Sequence, residues 1–152
     1  MIIWRLADPR FARDLSGAGN RLYGGRWNSP GRGVVYCAEH LSLAVLENLV
    51  HLPAVLRDDI PKRVVVRVQL PDEVPMLRVE VLPRAKRGAA LDDWCRDFGN
   101  EWLNAGKALA LRAPSVIVRQ EFNILLNPGH PAMRRVRILD AKSFALDRRL
   151  SK

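Results

Sequence analysis

Gly24-Gly25-Arg26-Trp27-Asn28-Ser29-Pro30-Gly31-Arg32-Gly33-Val34-Val35-Tyr36, running on to Glu47, is the stretch on which the reading of this chain turns. It opens as a glycine-punctuated loop. It passes through a short apolar run, Val34 to Ala38, that reads as a strand, and ends in a helix over residues 41–52, stopped by Pro53. Within that helix Leu43, Leu46, Glu47 and Val50 stand at i, i+3, i+4 and i+7, so a carboxylate sits on an apolar stripe. An ionised group there has to pair, hydrogen-bond or face a cavity, because burying it alone is costly. Loop, strand and helix thus carry a cation, a phenol ring and an acid: Arg26, Tyr36 and Glu47. That kit suits the binding and breaking of a charged, ring-bearing small molecule.

Working outward, residues 2–6 read as a first strand and residues 7–33 as a long loop rich in Gly, Pro, Asn, Asp and Arg. Tyr23 and Trp27 are read as bulky anchors of a structured binding loop, since long loops in compact domains are usually functional or disordered. From Arg63 to Leu70, Val64, Val66, Val68 and Leu70 alternate with Val65, Arg67 and Gln69, the pattern of a half-buried strand. Leu77, Val79 and Val81 suggest a second. Residues 91–105 switch to helical period, and Gly106 is a stop. The final third reads as short strands over 108–111, 115–118, 124–126 and 136–139, with Asn127-Pro128-Gly129-His130-Pro131 as a turn. The expected fold class is α+β, a compact single domain of short mixed or antiparallel strands with a few helices. It spans residues 1–152, those after about 145 being read as a tail.

Composition narrows the function classes. A chain of 152 residues can bury roughly two-thirds of its surface, and 48% hydrophobic with 27% charged residues is a globular balance that argues against disorder. The longest apolar runs fall far below the ~20 residues that span a bilayer, and the N-terminus lacks a signal pattern, so the expected location is the cytoplasm. Two cysteines, Cys37 and Cys95, make no disulfide scaffold and read as reduced, partly buried thiols. The net charge of +9 favours anionic partners, and 20 of the 25 basic residues are arginine. Those arginines are scattered, and no helix-turn-helix, zinc finger or aromatic RNA-binding signature accompanies them. There is no P-loop, dinucleotide glycine motif or nucleophile elbow. Cys37-Ala38-Glu39-His40 has no second local pair, so no metal is expected. His40, His51 and His130 show no paired spacing and read as structural or solvent-facing.

The opening stretch also matches a family. Gly24-Gly25-Arg26-Trp27-Asn28-x-x-Gly31, then Val34-Val35-Tyr36, then Leu43-Ala44-Val45-Leu46-Glu47, resembles the RES domain, the toxin half of RES–Xre toxin–antitoxin pairs. Ala113-Pro114-Ser115-Val116-Ile117-Val118 is similar to its serine segment, and Glu121-Phe122-Asn123 through Asn127-Pro128-Gly129-His130-Pro131 to the Asn-Pro segment that follows. The resemblance runs from Trp4-Arg5 to about Leu139. It implies a fold like that of ADP-ribosyltransferase toxins and NAD as substrate, with no prosthetic group. By motif, Arg26, Tyr36, Glu47 and Ser115 match the family's catalytic residues. Arg5, Arg26, Asn28 and Asn127 match its NAD-contacting segments. The implied activity is NAD degradation with water or phosphate as acceptor, arresting growth, while some members transfer ADP-ribose to a protein. The implied partner is a cognate Xre-family DNA-binding antitoxin that blocks the pocket, with a toxin dimer inside a hetero-oligomeric complex and DNA contacted only through the antitoxin.

The chemistry can be argued without the family. An arginine fork pairs bidentately with pyrophosphate oxygens. A tyrosine offers a stacking face and a hydroxyl. Breaking the nicotinamide–ribose bond develops oxocarbenium character, as in glycoside cleavage, and a held carboxylate stabilises that charge. Two rival readings stay open. One is a mono-ADP-ribosyltransferase acting on a specific protein, and the other is a non-catalytic basic interaction module. From spacing alone Arg26 could be a surface residue, Tyr36 a core aromatic, Glu47 a partner for a buried arginine and Ser115 a strand-edge residue.

Overall fold

The valine alternation after Arg63 builds the strand on which half of the sheet rests. The computed structural model describes residues 1–53 and 61–151. In chain order its elements are β1 (Ile2–Ala7), α1 (Ala18–Tyr23), β2 (Val35–Ala38), α2 (Leu41–Val50), β3 (Arg63–Gln69) and β4 (Met76–Arg78). They continue with α3 (Gly88–Ala105), β5 (Ala110–Pro114), β6 (Phe122–Leu126) and β7 (Arg137–Phe144). Short 3-10 turns lie at Pro9–Phe11, Pro131–Arg135 and Arg148–Ser151. All seven strands join one mixed sheet in the order β4-β5-β6-β2-β1-β3-β7, so the fold is α+β. Only β4 and β5 run parallel, and every other neighbouring pair is antiparallel.

The ladder is uneven, and the unevenness makes the site. β1 pairs with β3 along its whole length, from Ile2↔Gln69 to Ala7↔Val64. β2 pairs with β6 at all four of its residues. Between β1 and β2 a single register pair, Trp4↔Ala38, joins the two halves of the sheet. Beside that seam the strands part.

Each face of the sheet has its own core. On one, Ile3, Val35, Cys37, Val66, Val68, Ile124 and Leu126 pack together. On the other, α3 lays Leu91, Cys95, Trp102 and Leu103 against Leu111, Ala113 and Leu125, with Trp27 wedged among them. A small third cluster, Ala38, Leu43 and Ala44 with Trp4, docks α2 at the seam. Burial of these side chains is worth roughly 1.5–3 kcal/mol each for the larger aliphatics. α3 ends where expected, with Gly106 in the left-handed region at φ +60° and its N–H donating to the Trp102 carbonyl at 3.2 Å. Among the described residues no helix is long and apolar enough to cross a membrane.

Several expectations need correction. Ser115–Val118 is a bend and not a strand, because the Ser115 Oγ accepts from the N–H groups of Ile117 (3.0 Å) and Val118 (3.1 Å) and curls the chain. The strand read over 77–81 is cut to Met76–Arg78, and Val81 is exposed. The loop of residues 7–33 holds a 3-10 turn and α1. Trp27 anchors it at 2% exposure, but Tyr23 does not, being 85% exposed. On α2 the buried residues are Leu43 and Ala44 while Val50 is open, so the stripe lies about one position from where the sequence put it. After β7 the 3-10 turn over Arg148–Ser151 occupies the stretch read as a tail.

Candidate active site

Where β1 and β2 part, a cleft of about 550 Å³ opens. Three consecutive residues of β1, Trp4, Arg5 and Leu6, border it, which a strand can do only along an open edge. Tyr36, Cys37 and Ala38 border it from β2. α2 contributes Ala44, Glu47, Asn48 and His51, at i, i+3, i+4 and i+7, so the face of this helix turned to the cleft is largely polar.

Glu47 is the acid of the site. Its Oε1 accepts from the Ser115 hydroxyl at 2.8 Å and from the Asn123 side-chain amide at 2.7 Å. Its Oε2 accepts no hydrogen bond among the described residues and lies 4.0 Å from the His51 Nε2. The side chain is 21% exposed, so the carboxylate is desolvated on one side and open on the other. Ser115 is itself fully buried behind Glu47, held by the same bend that displaced the expected strand.

The arginine wall is built differently. The fully buried Asn28 donates from Nδ2 to the carbonyls of Asn20 (3.0 Å), Ser29 (3.3 Å) and Arg32 (2.9 Å), and its Oδ1 accepts from the Tyr36 hydroxyl at 2.8 Å. The same hydroxyl accepts from the Trp27 N–H at 3.0 Å. Ser29 and Asn100 of α3 bond reciprocally, N–H to Oδ1 at 3.0 Å and Nδ2 to Oγ at 2.8 Å. Two glycines allow the fit. A Cβ on Gly25 would stand 2.6 Å from the Tyr36 hydroxyl, and one on Gly99 would stand 1.8 Å from the Trp27 carbonyl oxygen. From this frame the Arg26 side chain reaches the cleft and pairs with Asp92 of α3. Arg5 enters from the other side, its Nη1 donating to the carbonyls of Phe11 (3.3 Å) and Asp14 (2.6 Å).

Tyr36 both borders the cleft and holds the loop. Burial pushes its phenol well above the ordinary value, and its hydroxyl is spent on Asn28 and Trp27. Its ring borders the cleft.

The structure therefore brings Arg5, Arg26, Tyr36 and Glu47 to one cleft and sets Ser115 directly behind the acid. It does not bring Asn28 or Asn127 to the cleft. Asn28 is consumed inside the loop, and Asn127 is buried in its turn, its Oδ1 accepting from the Gly129 N–H at 3.0 Å. Sequence reading gave no site role to Asn123, Asp92 or His51, all of which line the cleft. Asn123 had a signal, being a polar residue inside an apolar strand run, Phe122 to Leu126. His51 had one too, four residues after Glu47. Asp92 had none. Elsewhere, Glu39 grips Arg112 with two bonds of 2.6 and 3.2 Å, and Cys37 points into the core with its thiol pushed by burial up to about 12. Both cysteines are free and buried in separate clusters.

The RES domain family model matches residues 2–147. A Pseudomonas putida protein named Toxin Res is 38% identical over 152 residues, covering 99% of each chain. A Sphingobium protein named Prs ADP-ribosylating toxin is 36% identical over 156 residues, covering 97% of this chain and 94% of its own. A chain from the crystal structure of the M. tuberculosis MbcT–MbcA toxin–antitoxin complex superposes with a TM-score of 0.74 at 15% identity, over 99% of this chain and 86% of that one. That last likeness is one of fold.

Proposed function

The chain belongs to the RES domain family of toxins, and we propose that it cleaves the nicotinamide–ribose bond of NAD as the toxin of a toxin–antitoxin pair. The observation that carries this reading is the half-satisfied carboxylate of Glu47, fixed through one oxygen, in the same cleft as Arg5 and Arg26. The two guanidinium groups suit the pyrophosphate, for which the Arg26–Asp92 pair would exchange one anion for another. The carboxylate suits the other end. As the bond to nicotinamide breaks, positive charge spreads over C1′ and the ring oxygen of the ribose, and a preorganised anion stabilises it. Nicotinamide leaves as a neutral molecule, so no general acid is needed, in keeping with the engaged hydroxyl of Tyr36.

The acceptor distinguishes two readings. With water or phosphate as acceptor the protein depletes NAD. With a protein side chain as acceptor it is a mono-ADP-ribosyltransferase, a reading favoured by the name of the Sphingobium relative. The bond broken is the same in both. We take the partner to be an Xre-type antitoxin that covers the cleft, its acidic groups meeting a chain of net charge +9, and the toxin to be dimeric inside that complex.

The test is direct. The folded protein without antitoxin is expected to release nicotinamide from NAD. Free ADP-ribose or its phosphate as co-product supports degradation, and a discrete labelled band from labelled NAD in a lysate supports transfer. A folded protein that releases no nicotinamide in buffer or lysate overturns both.

A further inference from the structure

We propose that Asn123 is a positioning residue that decides which oxygen of Glu47 meets the substrate, an inference that rests on the cleavage reading above. A free carboxylate offers two equivalent oxygens and rotates about its terminal torsion with little preference. Here the symmetry is broken. Asn123 Nδ2 at 2.7 Å and Ser115 Oγ at 2.8 Å both donate to Oε1 and none to Oε2. The two donors come from different elements, the second position of β6 and the bend after β5, so together they hold Oε1 from two directions. Oε1 becomes the held atom and Oε2 the working one.

The two holders are not alike. Ser115 is fully buried, and its hydroxyl also serves two backbone N–H groups, so it is a part of the fold before it is a part of the site. Asn123 borders the cleft itself. Its backbone is registered on both sides, to Ala38 of β2 and Ala113 of β5, so its amide is presented from a strand paired on both edges. That placement gives a donor of fixed direction at low entropic cost, which a residue on a loop would lack. A carboxylate misdirected by the loss of such a donor binds NAD as before and loses its aim, and small misplacements at a reacting centre cost up to about a hundredfold.

The experiment measures kcat and KM for nicotinamide release with wild type, Asn123→Ala, Asn123→Leu and Glu47→Gln, each checked by thermal melting. The expected result for Asn123→Ala is a fall in kcat of about ten- to a hundredfold with KM for NAD within about threefold. Asn123→Leu keeps the approximate size of the side chain and removes the N–H donor without setting a second carboxylate beside Glu47. If Asn123 only fills space, this isostere restores what Ala loses; if it aims Glu47, kcat stays at or below the Ala value. Unchanged kcat in Asn123→Ala, rescue by Asn123→Leu, or a loss carried wholly by KM overturns the proposal while leaving the cleavage reading intact. A wild type no more active than Glu47→Gln overturns the cleavage reading instead.

Discussion

The two walls of the cleft solve opposite problems. The arginine wall spends its polar groups inward. Asn28 uses both side-chain atoms within the protein, Tyr36 gives its hydroxyl to the loop, Ser29 and Asn100 lock to each other, and Trp27 is buried in an edge-on aromatic cluster with Trp94 and Phe98. The acid wall leaves one oxygen of Glu47 unspent. A loop without regular secondary structure needs internal bonds to present an arginine in one place, since each ordered residue costs about 1–2 kcal/mol of backbone entropy. A helix needs no such help and can carry an incompletely satisfied charge. Damage to the first wall should therefore show as lost stability, and damage to the second as lost activity.

The sharpest way to break that contrast is Glu47→Gln. Nicotinamide release should fall about 10²–10³-fold, the range for removing one preorganised electrostatic element, while the melting temperature stays within about 2 °C. A large drop in melting would mean that Glu47 is structural. Gly99→Ala probes the other wall from beneath. Its Cβ would overlap the Trp27 carbonyl, so the helix and loop must separate at a cost of at least about 2 kcal/mol, a fall of about 4–8 °C in a chain of this size. Tyr36→Phe should cost about 1–2 kcal/mol by orphaning the Trp27 N–H and the Asn28 oxygen, and chemical denaturation would read it. A Tyr36→Phe variant that melts like wild type would show that the loop does not lean on that hydroxyl.

The smallest effect is one of pH. Burial pushes the Cys37 thiol up to about 12 and the Cys95 thiol up to about 11. Unfolded thiols begin to ionise near pH 8.5, whereas these stay protonated in the native state. Their stabilising contribution is thus whole below that pH and declines as pH climbs toward 11, by less than about 1 kcal/mol per thiol between pH 8 and 9. Denaturation curves at the two pH values would show it. Cys95 packs beneath the arginine wall, so it should become accessible to maleimide in Gly99→Ala before Cys37 does.

How much of this could be read from residues alone depended on the range of the interaction. Local periodicity carried β3 and most of α3, and the glycine stop at residue 106 needed no more than its neighbours. Glu47 stood out because an acid among aliphatics demands an explanation. Ser115–Val118 misled, because β-branched residues after a proline look like a strand and the hydroxyl that bends them leaves no periodic trace. Tyr23 misled for the opposite reason, a large aromatic being taken for an anchor when it stands in solvent. The seam, the Arg26–Asp92 pair and the Asn123–Glu47 bond join residues far apart in the chain, 66 positions in one pair and 76 in the other, which no local pattern reports.

That separation sets the order in which the site comes into being. Arg5, Arg26 and Glu47 precede the residues that hold the acid, Ser115 and Asn123, which follow about 70 positions after Glu47. At roughly 5–20 residues per second several seconds of synthesis lie between them. During that interval the nascent chain carries the groups for binding an anion with nothing to orient its carboxylate. A fragment ending before residue 115 would lack both donors to Glu47. The acid of the cleft thus gains both of its donors only once β5, the bend after it and β6 have been made and paired.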